Sequence, residues 1–191
     1  MRVTAIARTP AEADRTEPLL ARSSSLLSRE AVIGRGHVTT IVVRQAQVAD
    51  AERLAEMCAQ LWPDSPIEEH RRELESALRS GMNGTLPAAI LAAQDSDGLL
   101  TGFLQVGLRS HADGCDVSHP VGFVEGWFVQ EKFRHQGVGK ALMRAAETWS
   151  RQHGCREMAS DTWIDQGESI HAHKGVGFEV VDRCVHFRKR L

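Results

Sequence analysis

The sequence predicts a single mixed α+β domain, and three observations carry that reading. The 191 residues, 42% of them hydrophobic, suffice for one substantial core but hardly for two. Apolar residues recur at helical spacing in some stretches and form short continuous runs in others, so both helices and strands are present. After residue 38 the segments follow one another as β-α-α-β-β-β-α-β-α-β, with no repeat and no low-complexity tract.

Residues 1–38 mix Arg, Ser, Ala and acidic residues with weak periodicity and read as a disordered extension, leaving 39–191 as the domain. Order is expected from near Thr40, where "TIVVRQA" is a strand. Asp50 is read as the N-cap of the next helix, in which Ala51, Leu54, Ala55 and Cys58 follow the i, i+3, i+4, i+7 spacing of a buried face. Two prolines interrupt at "WPDSPIEEH", and "IEEHRRELESALRSG" is a second amphipathic helix stopped by Gly81.

Two apolar runs joined by "DSDG" predict a hairpin, and a third run, Val121 to Val129, is the next strand. A helix follows from about Gly137, with Val138, Ala141, Leu142, Ala145, Ala146 and Trp149 on one face and Gly154 near its C-cap. The strand "REMASD", a short helix near Glu168 to Lys174 and a closing strand through "VVDRCVHFRKR" complete the order.

Composition narrows the function. A formal charge of -2 and a pI near 6.5 give no basic footprint for nucleic acid or an anionic membrane. The four cysteines, Cys58, Cys115, Cys155 and Cys184, form no CxxC pair, which suits neither a metal site nor a disulfide framework. Reduced thiols, no apolar stretch near the roughly 20 residues of a span and no signal-type h-region lead to the expectation of a cytoplasmic protein.

The stretch "RHQGVGK", residues 134 to 140, sits between the strand Val121 to Val129 and the helix. A P-loop would need Gly at Arg134 and Ser or Thr at Ala141, and a dinucleotide fingerprint would need Gly at Leu142, so neither fits. Two readings stay open: a flexible turn with solvated basic residues, or an anion cradle of helix N-terminal amides flanked by Arg134, His135 and Lys140.

Strand, "RHQGVGKALMRAAETW", the next strand and "HKGVGFE" together resemble the GCN5-related N-acetyltransferase (GNAT) superfamily. Arg134, Gly137 and Gly139 match its acetyl-coenzyme A signature. "LWPD", "DGCD", "FVEGWFV", "GCREMASDT" and "HFRKRL" are similar to its aminoglycoside 6'-N-acetyltransferase branch, from roughly Ile41 to the C-terminus. The resemblance implies a GNAT fold: a central mixed, mostly antiparallel sheet flanked by helices, with strands splayed at the acetyl-CoA site. It also implies transfer of acetyl from acetyl-CoA to an aminoglycoside amine, a homodimer and no metal. An enzyme acting on another amine, such as a polyamine, peptide or small metabolite, and a non-catalytic binding module are the competing readings.

The resemblance assigns the coenzyme pyrophosphate to the amides of Gln136, Gly137, Val138, Gly139 and Lys140, with Arg134 beside them. Phe128 and Val129 fall at the thioester, and the Val129 N–H becomes the oxyanion donor. Glu125, the only charged residue in "VGFVEGWFV", falls by period-two counting on the face of Val121, Phe123, Trp127 and Val129. Such a carboxylate needs a wet cleft or a cationic partner. Glu125, Asp161 and Asp182 are implied around the polycationic acceptor, with Trp62 as an apolar wall, and Glu125 or Asp161 as the path for the amine proton. The chain has no tyrosine; His173 stands where many members of the superfamily place the tyrosine that protonates the departing thiolate. "WIDQ" after "ASDT" departs from the "SPEN" common in this branch.

Overall fold

A computed structural model describes residues 26–34 and 37–190 of the chain. Strands β1 (Leu26–Gly34) and β2 (His37–Gln45) precede helices α1 (Ala51–Leu61) and α2 (Ile67–Ser80). The two-residue β3 (Met82–Asn83) is followed by β4 (Leu86–Gln94), β5 (Leu100–Arg109) and β6 (Val121–Val129). Helix α3 (Val138–Gln152), β7 (Glu157–Ser160) and α4 (Gly167–Lys174) complete the order. The sheet runs β1-β2-β4-β5-β6-β7, with β3 on β4; every pairing is antiparallel except β6 with β7. That single parallel pair follows from the crossover through α3, which returns the chain in the same direction.

Helices cover both faces of the sheet, so its middle strands read as continuous apolar runs rather than alternating ones. On one face Leu91, Ala93, Leu104, Val106 and Val124 pack against α3, whose six predicted apolar positions are all buried. On the other, Ile90, Ala92, Phe103 and Phe128 pack against Leu54, Met57 and Cys58 of α1 and Leu74 of α2. Full burial of each large side chain contributes about 1.5–3 kcal/mol.

The structure departs from the sequence-based expectation at both ends. Among the described residues strand pairing is already present from Leu26, ahead of the order expected near Thr40, because β1 forms an antiparallel ladder with β2; residues 1–25, 35 and 36 of the expected extension lie outside the described residues. The closing strand predicted through "VVDRCVHFRKR" is absent among the described residues. From Val180 to Arg190 the chain has no ladder partner, and Val185 and Phe187 are 72% and 89% exposed. The segment has strand-forming residues but makes no ladder with any described strand.

Asp50 also acts differently from a simple N-cap. It makes no side-chain bond to the α1 amides. Instead its Oδ2 accepts from the Gln47 amide at 2.7 Å, closing the preceding 3₁₀ turn, and its two oxygens take Arg44 Nη1 and Nη2 at 2.7 and 2.8 Å. Burial alone would raise the Asp50 carboxyl, but the Arg44 and Gln47 bonds outweigh it and hold the group below the ordinary carboxylate value. A depressed folded-state value contributes stability above the unfolded value of about 4, which is lost as pH falls through the folded one. Asp50→Asn is therefore expected to cost about 2 kcal/mol at pH 7. Denaturant unfolding across pH checks this, with the gap to the wild type closing below about pH 4.

Candidate active site at the fork of the sheet

Strand β6 belongs to two ladders of unequal length. It pairs with β5 along its whole span, but with β7 only from Val121↔Glu157 to Val124↔Ser160. From Glu125 onward the two parallel strands part, and β6 presents an unpaired edge. Gln130 N–H donates to the Thr101 carbonyl of the β5 side, and the Phe128 carbonyl oxygen faces Gly102. By strand alternation the amides of Val129 and Trp127 therefore point away from β5, into the fork. Arg134 Nε reaches the Val129 carbonyl there at 3.1 Å.

The parting coincides with a β-bulge. Gln105 pairs with Gly126 and Val106 with Val124, so Glu125 has no partner on β5. The extra residue resets the alternation. Val124, Trp127 and Val129 all pack toward the α3 core, whereas Glu125 and Gly126 turn to the α1 side. Period-two counting, which puts Glu125 on the face of Trp127 and Val129, is corrected here because it cannot see an inserted residue.

On the α1 side Glu125 meets an arginine. Arg109 Nη2 and Nε lie 2.8 and 3.3 Å from Oε2 and Oε1, and the guanidinium carbon stands 3.2 Å from the centroid of the Phe123 ring. With Glu125 27% and Arg109 41% exposed, the pair lies at the edge of water. Trp62 stands beside it: a Cβ on Gly126 would come within 2.4 Å of its Cη2, so only glycine lets the indole close over the strand. The buried His70 of α2 anchors this tryptophan, its Nε2 lying 3.1 Å from the Trp62 carbonyl oxygen and its ring 6.2 Å from the indole.

The mouth of the fork is the start of α3. Its N-cap is Gly137, at φ 83°, with no side-chain cap bond, and His135 before it stands at φ 59°. Gln136 Nε2 ties the loop back to the Lys132 carbonyl at 2.7 Å. Successive left- and right-handed residues turn neighbouring N–H groups inward, and an uncapped helix start leaves them for an anion. Gly139 has a second reason to lack a Cβ, which would lie 2.9 Å from Cζ2 of Trp127. Lys140 is exposed, while Val138 is buried in the α3 core. This geometry fits a pyrophosphate at the loop and an extended arm along β6.

Asp161 follows the last residue of β7 and is exposed, one step beyond the pair that ends at Val124. Asp182 lies in the extended C-terminal segment, where its Oδ1 accepts from the Arg183 amide at 2.6 Å. The structure thus brings Glu125 and Trp62 to one side of the fork and Asp161 to its other strand, while Asp182 depends on the path of the tail. His173, on α4, packs edge-to-face on Trp127 at 5.5 Å. Sequence reasoning missed Arg109, His70 and Ser160. A lone basic residue closing an apolar strand is a signal for Arg109, but pairing it with Glu125 requires the bulge.

The cysteines offer no evident nucleophile near neutrality among those whose values shift. Burial pushes the Cys58 thiol up to about 12 and raises Cys155 and Cys115 as well. Among the described residues no cluster of His, Cys, Asp and Glu is arranged to hold a metal ion.

Comparison with known proteins agrees with this geometry. The acetyltransferase (GNAT) family matches residues 52–178. The chain is 40% identical over 151 residues to aminoglycoside N(6')-acetyltransferase type 1 of Stenotrophomonas maltophilia, covering 78% of this chain and 93% of the relative. It is also 40% identical over 150 residues to the Klebsiella aerogenes enzyme of that name, covering 78% and 97%. Among solved structures, AAC(6')-Iy in complex with CoA superposes with a TM-score of 0.71 at 36% identity, over 80% of this chain and 97% of that one. The same enzyme with the bisubstrate analog CoA-S-monomethyl-acetylneamine gives 0.70 at 36% identity, over 79% and 99%. The chain belongs to the GNAT acetyltransferase family, in its aminoglycoside 6'-N-acetyltransferase branch. The GNAT fold expected from sequence is borne out.

Gly137→Val would force a β-branched residue to φ 83° and crowd the cradle. It is expected to lower stability by about 1–3 kcal/mol and to weaken acetyl-CoA binding at least about tenfold, one lost charge-assisted bond's worth. Thermal unfolding and calorimetric titration check the two effects.

Proposed function

We propose that this chain transfers the acetyl group of acetyl-CoA to the 6'-amine of aminoglycoside antibiotics and so confers resistance to them. The observation that carries this reading is identity of 36–40% across 78% of the chain to enzymes of that name. In the same reading the amides of Gln136 to Lys140, with Arg134, hold the pyrophosphate. The pantetheine arm completes the open edge of β6 past Phe128 and Val129, as an added strand would. Val129 N–H, aimed into the fork, stabilises the tetrahedral oxyanion.

Glu125 receives an ammonium group of the acceptor, with Asp161 and Asp182 adding negative charge and Trp62 covering an apolar sugar face. Arg109 already occupies Glu125, so an arriving ammonium shares or displaces a guanidinium rather than entering an empty pocket. Glu125 or Asp161, directly or through water, takes the proton that the amine must lose before it attacks. The raised thiols of Cys58, Cys115 and Cys155 support direct transfer over a cysteine-bound acetyl intermediate.

Thiol release from acetyl-CoA, compared for kanamycin-type aminoglycosides, polyamines and peptides, tests the acceptor. Aminoglycosides are expected to be turned over best, and equal or better turnover of another class overturns the choice. A chain that binds coenzyme without acceptor-dependent release would be a binding module. Glu125→Gln is expected to lower aminoglycoside kcat/KM by about 10- to 100-fold, the worth of one charged hydrogen bond. Its coenzyme affinity stays unchanged; an unaltered kcat/KM removes Glu125 from the acceptor site.

The chain also acts, in this reading, as a cytoplasmic homodimer. No helix among the described residues is long and apolar enough to cross a membrane. Strand β7 ends the sheet, and the exposed Val181, Val185 and Phe187 alternate along an unpaired segment, so a second copy would satisfy both an open edge and an apolar stripe. Sedimentation of the intact chain is expected to give twice the 21.1 kDa chain mass; a monomer at all concentrations contradicts it.

A further inference from the structure

Both ring nitrogens of His173 are engaged by the protein. Nδ1 lies 2.7 Å from the Ser169 carbonyl oxygen, which can only accept, so Nδ1 carries a proton in either charge state. Nε2 lies 3.0 Å from Ser160 Oγ. Edge-to-face contacts with Trp127 and Phe178, at 5.5 and 5.4 Å, fix the plane of the ring. A histidine so held has no nitrogen left to present to a leaving group.

Ser160 is placed otherwise. Its Oγ is 3.1 Å from the Val124 carbonyl oxygen, and Val124↔Ser160 is the last pair before β6 and β7 part. The hydroxyl therefore stands at the apex of the fork with one proton and two acceptors competing for it. When His173 is neutral, Nε2 is a lone pair and Ser160 donates to it. When the ring is an imidazolium, Nε2–H donates to Oγ, and the hydroxyl proton turns to the Val124 carbonyl or to a group in the fork.

We propose that Ser160 is the proton donor to the coenzyme thiolate and that His173 is a positioning residue acting through it. The inference rests on the reading above, in which the thioester lies along the open edge of β6. As the tetrahedral intermediate collapses, the C–S bond breaks and its electron pair goes to sulfur. The Ser160 O–H bond breaks to form S–H. The Nε2 proton moves to Oγ, restoring the hydroxyl and leaving His173 neutral, with Nδ1–H still on the Ser169 carbonyl. Water then reprotonates the half-buried ring. The missing tyrosine is thus replaced by two residues in series, which lie 13 positions apart in the chain.

Ser160→Ala, Ser160→Thr, His173→Gln and the double variant Ser160→Ala/His173→Gln are compared in steady-state thiol release, using an acceptor that the wild type turns over, with coenzyme A binding titrated separately. Ser160→Ala is expected to lower kcat about 100-fold, the scale of one positioned acid, with coenzyme A affinity unchanged. Ser160→Thr, which keeps the hydroxyl, restores most of the rate. The double variant falls no further than the worse single one, because the two groups act in one relay. Undiminished kcat in Ser160→Ala, losses that multiply in the double variant, a loss confined to coenzyme binding, or failure of the Thr variant to recover would each overturn the relay. A wild type that acetylates no amine overturns the acetyl-transfer reading instead, which keeps the two failures distinct.

Discussion

Strand β6 holds one residue more than β5 can pair with, and that residue is Glu125. A bulge bends its strand and sharpens its twist. Here it falls one position after the last rung shared with β7, so the bend and the opening of the sheet occur at the same place. The insertion also turns Glu125 and Gly126 to the α1 side, where the indole of Trp62 closes against the bare Gly126 Cα. A single backbone irregularity thus opens an edge on one side of the strand and aims a carboxylate beside an aromatic wall on the other.

Such an opening leaves backbone polar groups without partners, which a soluble sheet tolerates only where water or a ligand can satisfy them. The surroundings are built to hold the gap rather than close it. Helix α3 docks under β6 through a continuous apolar face, and Gly139 brings its first turn against Trp127. The same indole supports His173, so the helix start, the fork and the ring of α4 share one contact surface. Arg109 offsets the burial of Glu125, since an unpartnered carboxylate on a largely apolar strand would be costly.

What could be read from the sequence follows from how local each cause is. The faces of α1 and α3 are visible because helical periodicity needs only neighbours within two turns, and Gly137 is visible because a positive φ at a strand-to-helix turn demands it. The bulge is invisible, since alternation is counted along one strand while an insertion is defined by another. Arg109 with Glu125 and Ser160 with His173 are hidden for the same reason: each is a contact between elements whose register no single segment encodes. The C-terminal segment marks the opposite limit. Val180 to Phe187 carry a genuine strand pattern, yet a strand exists only once it is paired, and this segment forms no ladder with the open edge of β7.

In the proposed function the edge of β6 beyond Glu125 is held open for the coenzyme. Amide hydrogen exchange of β6, with and without coenzyme A, tests it directly. The Trp127 and Val129 amides, which face the fork, are predicted to gain strong protection on binding, while Phe128, which faces β5, is already protected and changes little. Unchanged exchange at Trp127 and Val129 under saturating coenzyme A would contradict it.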